Sequence, residues 1–305
     1  MLLYVLESKG SSPGRQGFCM AVDAAGTMTG SVGGGIMEHK FVELAKELLR
    51  KNNFTEGDGE QVQVKKQVHD KSGDNQSGMI CSGEQTILIY PVQKKDTATI
   101  NQLIHSLEEN RNGTLILSPN GISFDRTAPA DNFVYTYLSD SDWLYREKTG
   151  HKNKLFIIGG GHCSLALSRL MRSMDFYITV YDDRNDLKTL VENNAAHETH
   201  VITDYSPLPD LIPGGPDHYI VIMTFGYRTD DIALKALLHT PCRYLGVLGS
   251  KKKMEKLMAD WRAAGTDPAI LEKIHTPIGL SINSHTPEEI AVSIAAEIIN
   301  VKNKS

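Results

Sequence analysis

Cysteine is scarce in this 305-residue chain, which has four. Cys19, Cys81, Cys163 and Cys242 stand far apart, and no pair has the C-x-x-C spacing of a redox or metal site. Isolated thiols in a chain of this length do not form a disulfide framework, so reduced cysteines and a cytoplasmic location are expected. Long apolar runs are also missing. None approaches the roughly 18 residues of a membrane span. The apolar start at 2–6 has no basic stretch before it and meets Glu7 at once, which argues against a signal peptide. Nor is there an excess of positive charge: 32 basic against 37 acidic residues leave a net charge of −5. Nucleic acid and anionic membranes are therefore not expected as partners. H-x-x-x-H metal spacing and a P-loop are absent as well.

What remains is an ordinary globular composition, 40% hydrophobic and 23% charged, on a length that suggests two domains. In the first half, strands are predicted at 2–6, 18–22, 27–32, 62–68, 86–92, 114–117 and 133–138. Helices are predicted at 36–51 and 97–110. Met37, Phe41, Leu44, Ala45 and Leu48 recur at helical spacing and define one apolar face. These elements lack βαβ regularity, so a smaller α+β domain over 1–140 is expected. The polar, charged stretch 141–153 reads as a linker.

From 154 onward the pattern turns to alternating strands and helices, the mark of a Rossmann-like, doubly wound parallel sheet in an α/β domain spanning 154–305. Its last helix is announced by Thr286 as N-cap, Pro287 in the first turn and Glu289 closing a capping box.

Gly159-Gly160-Gly161-His162 follows a strand and opens a helix, where backbone N–H groups and the helix dipole favour a phosphate. Ser164 stands where a third glycine is usual. Gly159, Gly161 and His162 are candidate ligand contacts. Asp182 and Asp183, at the end of the next strand, could take a ribose-like diol, although aspartates there could equally cap the following helix. A second anion site is suggested by Gly249, Ser250 and Lys251. Cations at a helix N-terminus oppose the macrodipole, a cost that an anion would offset. In the first half, Ser11 and Ser12 lie in one glycine-rich stretch, and Gly33, Gly34 and Gly35 lead into a helix carrying Glu38. Cys81 sits among small residues before a strand, as a soft ligand, a nucleophile or simply a core residue.

Taken together, these stretches resemble the XdhC/CoxI family. The resemblance rests on Gly-Ser-Ser-Pro at 10–13, Gly-Ser-Val-Gly-Gly-Gly from 30 with Glu38, and 79–83 around Cys81. In the second half it rests on Gly-Gly-Gly-His at 159–162, Tyr181-Asp-Asp-Arg184, Leu245-Gly-Val-Leu-Gly-Ser250, Pro277-Ile-Gly-Leu280 and 286–297. It implies a chaperone, not a turnover enzyme, that binds molybdenum cofactor (molybdopterin) as cargo while its terminal sulfur is installed. The cargo would then pass to an apo molybdenum hydroxylase of xanthine dehydrogenase type, with a cysteine desulfurase as a further partner. It also implies cofactor contacts at the glycine-rich positions named above, with molybdenum meeting Cys81 only through the bound cofactor. Homo-oligomers are compatible with it.

Two departures stand out: Ile36 where many relatives have cysteine, and Phe225 where relatives often have histidine. Relatives also commonly carry a helix before the first strand, so a shortened start is expected here. The rival readings are an NAD(P)-dependent oxidoreductase, with pyrophosphate at 159–161 and ribose at Asp182 or Asp183, and a nucleotide-sensing module. No hydride-transfer constellation supports the former.

Overall fold

The computed structural model describes residues 1–51, 62–68 and 83–304. The chain divides into two compact units, Met1–Gly150 and His151–Ser305.

Among the described residues the first unit contains two antiparallel sheets. One has the order β3-β2-β1-β5-β4, built from β1 (Leu2–Gly10), β2 (Cys19–Val22), β3 (Met28–Gly30), β4 (Gln63–Val68) and β5 (Gly83–Tyr90). Helix α1 (Gly35–Lys51) follows β3, and α2 (Thr97–Glu108) follows β5. The other sheet has the order β7-β6-β9-β8, from β6 (Gly113–Ser118), β7 (Gly121–Asp125), β8 (Phe133–Ser139) and β9 (Asp142–Thr149). β1 lies in the middle layer. Leu3 and Val5 pack with Met37, Phe41 and Ala45 of α1, while Tyr4 and Leu6 pack with Leu115, Leu117, Trp143 and Tyr145 of the second sheet. A strand buried on both faces has no polar side to show, which is why 2–6 reads as a continuous apolar run.

The stretch 141–153 is not a linker. Its residues Asp142–Thr149 form β9, hydrogen-bonded to β6 on one side and β8 on the other, and the division between the units falls after Gly150. The alternation that makes it a strand is Trp143, Tyr145 and Glu147, all pointing inward. Glu147 is a charged residue at an inward position, so the period of two is disguised. Its carboxylate accepts the Tyr4 hydroxyl at 2.5 Å and the Tyr145 hydroxyl at 2.7 Å on the same oxygen. A buried carboxylate needs such donors. Here they join β1 of one sheet to β9 of the other.

The second unit is a six-stranded, all-parallel sheet of order β12-β11-β10-β13-β14-β15. Its strands are β10 (Asn153–Ile158), β11 (Phe176–Asp182), β12 (Glu198–Val201), β13 (His218–Ile222), β14 (Tyr244–Val247) and β15 (Ile274–His275). The helices are α3 (His162–Arg172), α4 (Lys188–Val191), α5 (Leu208–Leu211), α6 (Tyr227–Leu237), α7 (Lys251–Ala263), α8 (Pro268–Leu271) and α9 (Pro287–Asn303). Alternate residues of β10 enter two cores. Leu155 and Ile157 pack with Leu167 and Met171 of α3 and Ile294 and Ile298 of α9. Phe156 and Ile158 pack with Leu234 and Leu237 of α6 and Leu257 and Trp261 of α7. Helices thus cover both faces, as a parallel sheet requires. The capping box at α9 is formed: Thr286 Oγ1 accepts from Glu289 N at 3.2 Å, and Glu289 Oε2 accepts from Thr286 N at 3.1 Å. Among the described residues no helix is long and apolar enough to cross a membrane.

The position of β9 yields a direct test. Tyr145→Ala is expected to destabilise the first unit by about 3–5 kcal/mol, the range for truncating a buried aromatic, as read by chemical denaturation. A loss below about 0.5 kcal/mol, typical of surface sites, would contradict the buried placement.

Candidate functional site

In a doubly wound sheet, ligands bind beyond the carboxyl ends of the strands where the strand order reverses. Here that point lies between β10 and β13. The loop after β10 carries Gly159, Gly160 and Gly161, and the loop after β13 carries Thr224, Phe225 and Gly226. The two are in backbone contact: a Cβ on Gly159 would lie 2.3 Å from Met223 O, and its φ of +113° is a conformation side-chain-bearing residues avoid. Gly161 is the N-cap of α3 with φ −72° and ψ −172°. A Cβ built on it meets nothing within 4 Å. The first turn of α3 therefore opens to free space at the point where a helix N-terminus favours an anion. His162, the first residue of α3, is exposed.

Asp182 does not face a ligand. It is fully buried at the end of β11. Its Oδ2 accepts the Gly160 N–H at 2.6 Å and Arg184 Nη2 at 2.7 Å, and its Oδ1 accepts Arg184 N at 2.9 Å and Arg184 Nε at 2.8 Å. Burial pushes its pKa up. The Arg184 side chain and the N–H groups of Gly160 and Arg184 more than offset this, and the net shift is downward. With both oxygens engaged, Asp182 braces the glycine loop and cannot take a diol. Thr189 holds the same loop from the other side, donating from Oγ1 to Gly160 O at 2.5 Å. Asp183 is exposed, and its carboxylate accepts the Tyr205 hydroxyl at 3.0 Å.

The loop after β13 is braced in the same way. Asp230 of α6 is fully buried. It accepts from Thr224 N at 3.0 Å, from Thr224 Oγ1 at 2.5 Å and from Lys253 Nζ at 2.5 Å. This changes the argument for a second anion site. Gly249 and Ser250 do lead from β14 into α7, where Ser250 Oγ accepts from Lys253 N at 3.4 Å. Of the three lysines that open α7, however, Lys253 finds its counter-charge inside the protein, and Lys251 and Lys252 are exposed. The dipole cost at Lys253 needs no external anion.

In the first unit the glycine-rich stretches come together. A Cβ on Gly33 would sit 2.4 Å from Gly14 N, and one on Gly83 would sit 2.6 Å from Ser12 N. Gln85 Nε2 donates to Val32 O at 3.2 Å. Ser12 is buried and its hydroxyl donates to Gly14 O at 3.3 Å, whereas Ser11 and Gly35 are exposed. Gly34 has nothing within 4 Å of its Cβ direction. Glu38 staples this loop: its Oε2 accepts from Ser31 Oγ at 2.6 Å, Val32 N at 2.9 Å and Gly34 N at 3.0 Å. Burial raises its pKa, but the Ser31 hydroxyl and the loop N–H groups outweigh that and hold it below the ordinary value. Cys81 lies outside the described residues.

The sequence drew attention to the glycine loops at 33–35 and 159–161, but it assigned no role to Arg184, Thr189, Thr224, Asp230 or Lys253, which brace the loops of the second unit. The one local signal was Thr224 six residues before Asp230, a hydroxyl at a strand end facing an acid in the next helix.

Two outcomes follow from these braces. Lys253→Ala is expected to cost about 3 kcal/mol, the low end for stranding one partner of a buried pair, because the lysine is partly exposed. Asp230→Asn in the same chain should recover part of that loss in thermal melts, and an additive double variant would exclude the pairing. Glu38→Gln is expected to cost about 1 kcal/mol at neutral pH, the difference between charged and neutral hydrogen bonds at a part-exposed site. Because the folded pKa is depressed, this contribution is present above the ordinary glutamate value of 4.5 and is lost as pH falls through the lower folded value. The melting curves of parent and variant should therefore converge in acid, and a gap that persists there would rule out the charge as its cause.

Residues 155–298 match the XdhC Rossmann domain, and residues 1–56 match the XdhC and CoxI family. Uncharacterized protein YqeB of Escherichia coli (strain K12) is 23% identical over 302 residues, 99% of this chain and 43% of that protein. A Bacillus subtilis (strain 168) protein described as a probable xanthine dehydrogenase subunit is 26% identical over 161 residues, 53% of this chain and 46% of that protein. The chain thus spans less than half the length of these curated relatives. A crystal structure of a Bacillus halodurans protein described as a xanthine dehydrogenase shares the fold, with a TM-score of 0.72 at 24% identity, over all of this chain and 92% of that one. Because the two matches fall on both compact units and in chain order, the chain belongs to the XdhC and CoxI family.

Proposed function

We propose that this protein is an accessory factor in xanthine dehydrogenase-type maturation that holds molybdenum cofactor as cargo. The observation that carries this reading is the open first turn of α3. Gly161 leaves free space in front of N–H groups that a phosphate would satisfy, and the loop is held in shape by Asp182 and Thr189. Molybdopterin carries such a phosphate, and its dinucleotide forms carry two. Family membership and the description of the Bacillus subtilis relative, a probable part of a xanthine dehydrogenase, support the choice of cargo and of client. Sulfuration of the cargo, with sulfur drawn from a cysteine desulfurase, and its delivery to the apo hydroxylase belong to the same proposal. The NAD(P) alternative loses one support, since the Asp182 carboxylate is already filled by Gly160 and Arg184.

Gly161→Asp tests the reading. The backbone at 161 is extended and suits aspartate as an N-cap, so the variant should fold at least as well as the parent. Its carboxylate would take the place of the phosphate. The amount of pterin co-purifying from cells that make the cofactor is expected to fall at least about tenfold, as for loss of a charged hydrogen bond. Unchanged pterin content, or tight NAD(H) binding without any pterin, would overturn the proposal.

A further inference from the structure

Phe225 is 86% exposed, the most exposed large hydrophobic side chain among the described residues. Its position is not that of a loose loop tip. On one side Thr224 is tied to Asp230 through both its N–H and its hydroxyl. On the other, Gly226 N donates to Thr229 Oγ1 at 3.2 Å and opens α6. The phenyl ring is thus presented to solvent from a backbone fixed at both neighbours.

One side of the ring has a partner. The Arg184 guanidinium carbon lies 5.7 Å from the ring centroid, within cation–π reach. Arg184 is itself clamped by Asp182, which also holds Gly160 of the phosphate loop. A continuous chain of contacts therefore runs from the glycine loop through Asp182 and Arg184 to Phe225, across the point where the strand order reverses. An aromatic ring backed by a planar cation and otherwise exposed, beside a phosphate-binding turn, is suited to a flat heteroaromatic ring attached to that phosphate.

We propose that Phe225, backed by Arg184, is the stacking platform for the purine or pterin ring of the ligand whose phosphate meets the first turn of α3. The inference rests on the preceding reading for the phosphate, and the two can fail separately. Phe225 contributes the flat apolar surface. Arg184 fixes the level at which a ring settles on it, and it does so without spending its charge, which Asp182 already balances.

The test uses the full chain and two probes, each carrying half of the recognition: guanosine, a ring without phosphate, and ribose 5-phosphate, a phosphate without ring. Calorimetric or NMR titration of the parent is expected to show binding of both in the millimolar range. Phe225→Ala, at an exposed site that leaves the fold intact, should weaken guanosine about tenfold, within the range for removing one stacked aromatic. It should leave ribose 5-phosphate unchanged, and Phe225→Trp should restore or improve guanosine. Gly161→Asp should do the reverse, abolishing ribose 5-phosphate and sparing guanosine. Guanosine binding that is absent from the parent, or indifferent to Phe225→Ala, overturns the platform. Ribose 5-phosphate binding that is absent from the parent, or indifferent to Gly161→Asp, overturns the phosphate reading and leaves the guanosine result to judge the platform alone.

Discussion

The fully buried carboxylate of Asp182 fixes the glycine turn at the carboxyl end of the sheet in the second unit. It lies at the end of β11, and it takes the N–H of Gly160 together with the side chain and backbone of Arg184. A glycine-rich turn exposes backbone donors that must find partners, and glycines supply no side chains to help. The neighbouring strand provides the acceptor. Without it, the turn between β10 and α3 would lack one of the contacts that aim the helix N-terminus outward. The cost of burying the charge is offset by the guanidinium, which in turn reaches Phe225 of the next loop.

The same device appears in the other glycine-rich loop. Glu38 gathers the Ser31 hydroxyl and the N–H groups of Val32 and Gly34 with one oxygen. Asp230 does so for Thr224 and adds Lys253. In all three cases a carboxylate beside a glycine-containing turn satisfies donors of its own chain. The donors left over, such as those in the first turn of α3, are the ones free to meet a ligand. Acidic residues near a glycine motif are thus as well suited to hold the motif as to touch what it binds.

This division also marks what could be read from the sequence. Features set by neighbours in the chain were legible: the strand–glycine–helix order at 153–172, the capping box at Thr286, and the apolar face of α1 through Met37, Phe41 and Ala45. Features set by distant partners were not. β9 was hidden because one of its inward residues is Glu147, whose tyrosine partner Tyr4 lies 143 residues away. β7 and β15 are short strands that draw their identity from the strands beside them. The role of Asp182 depends on Gly160, 22 residues before it, and that of Lys253 on an acid in the preceding helix. The tight turns at Gly33 and Gly159 were legible because glycine reports backbone geometry, which is local. The pairing of Lys253 with Asp230 spans 23 residues and left no pattern to read.

The pairing has a consequence for how an anion would be attracted. The chain carries a net charge of −5, and two buried aspartates brace the loops that flank the point where the strand order reverses. Uncompensated, they would repel a phosphate. Asp182 is matched by Arg184 and Asp230 by Lys253, so each contributes little net field at the crevice. The attraction then comes from the partial positive charge and N–H groups of the first turn of α3, which act over a few ångströms and require the anion to be correctly placed. Such a site discriminates by position more than by charge. For a cargo whose phosphate is tethered to a large flat ring, the placement of the ring decides whether the phosphate can reach the turn. On the proposed reading, an exposed Phe225 held at both neighbouring residues would be as much a part of anion recognition as the glycines.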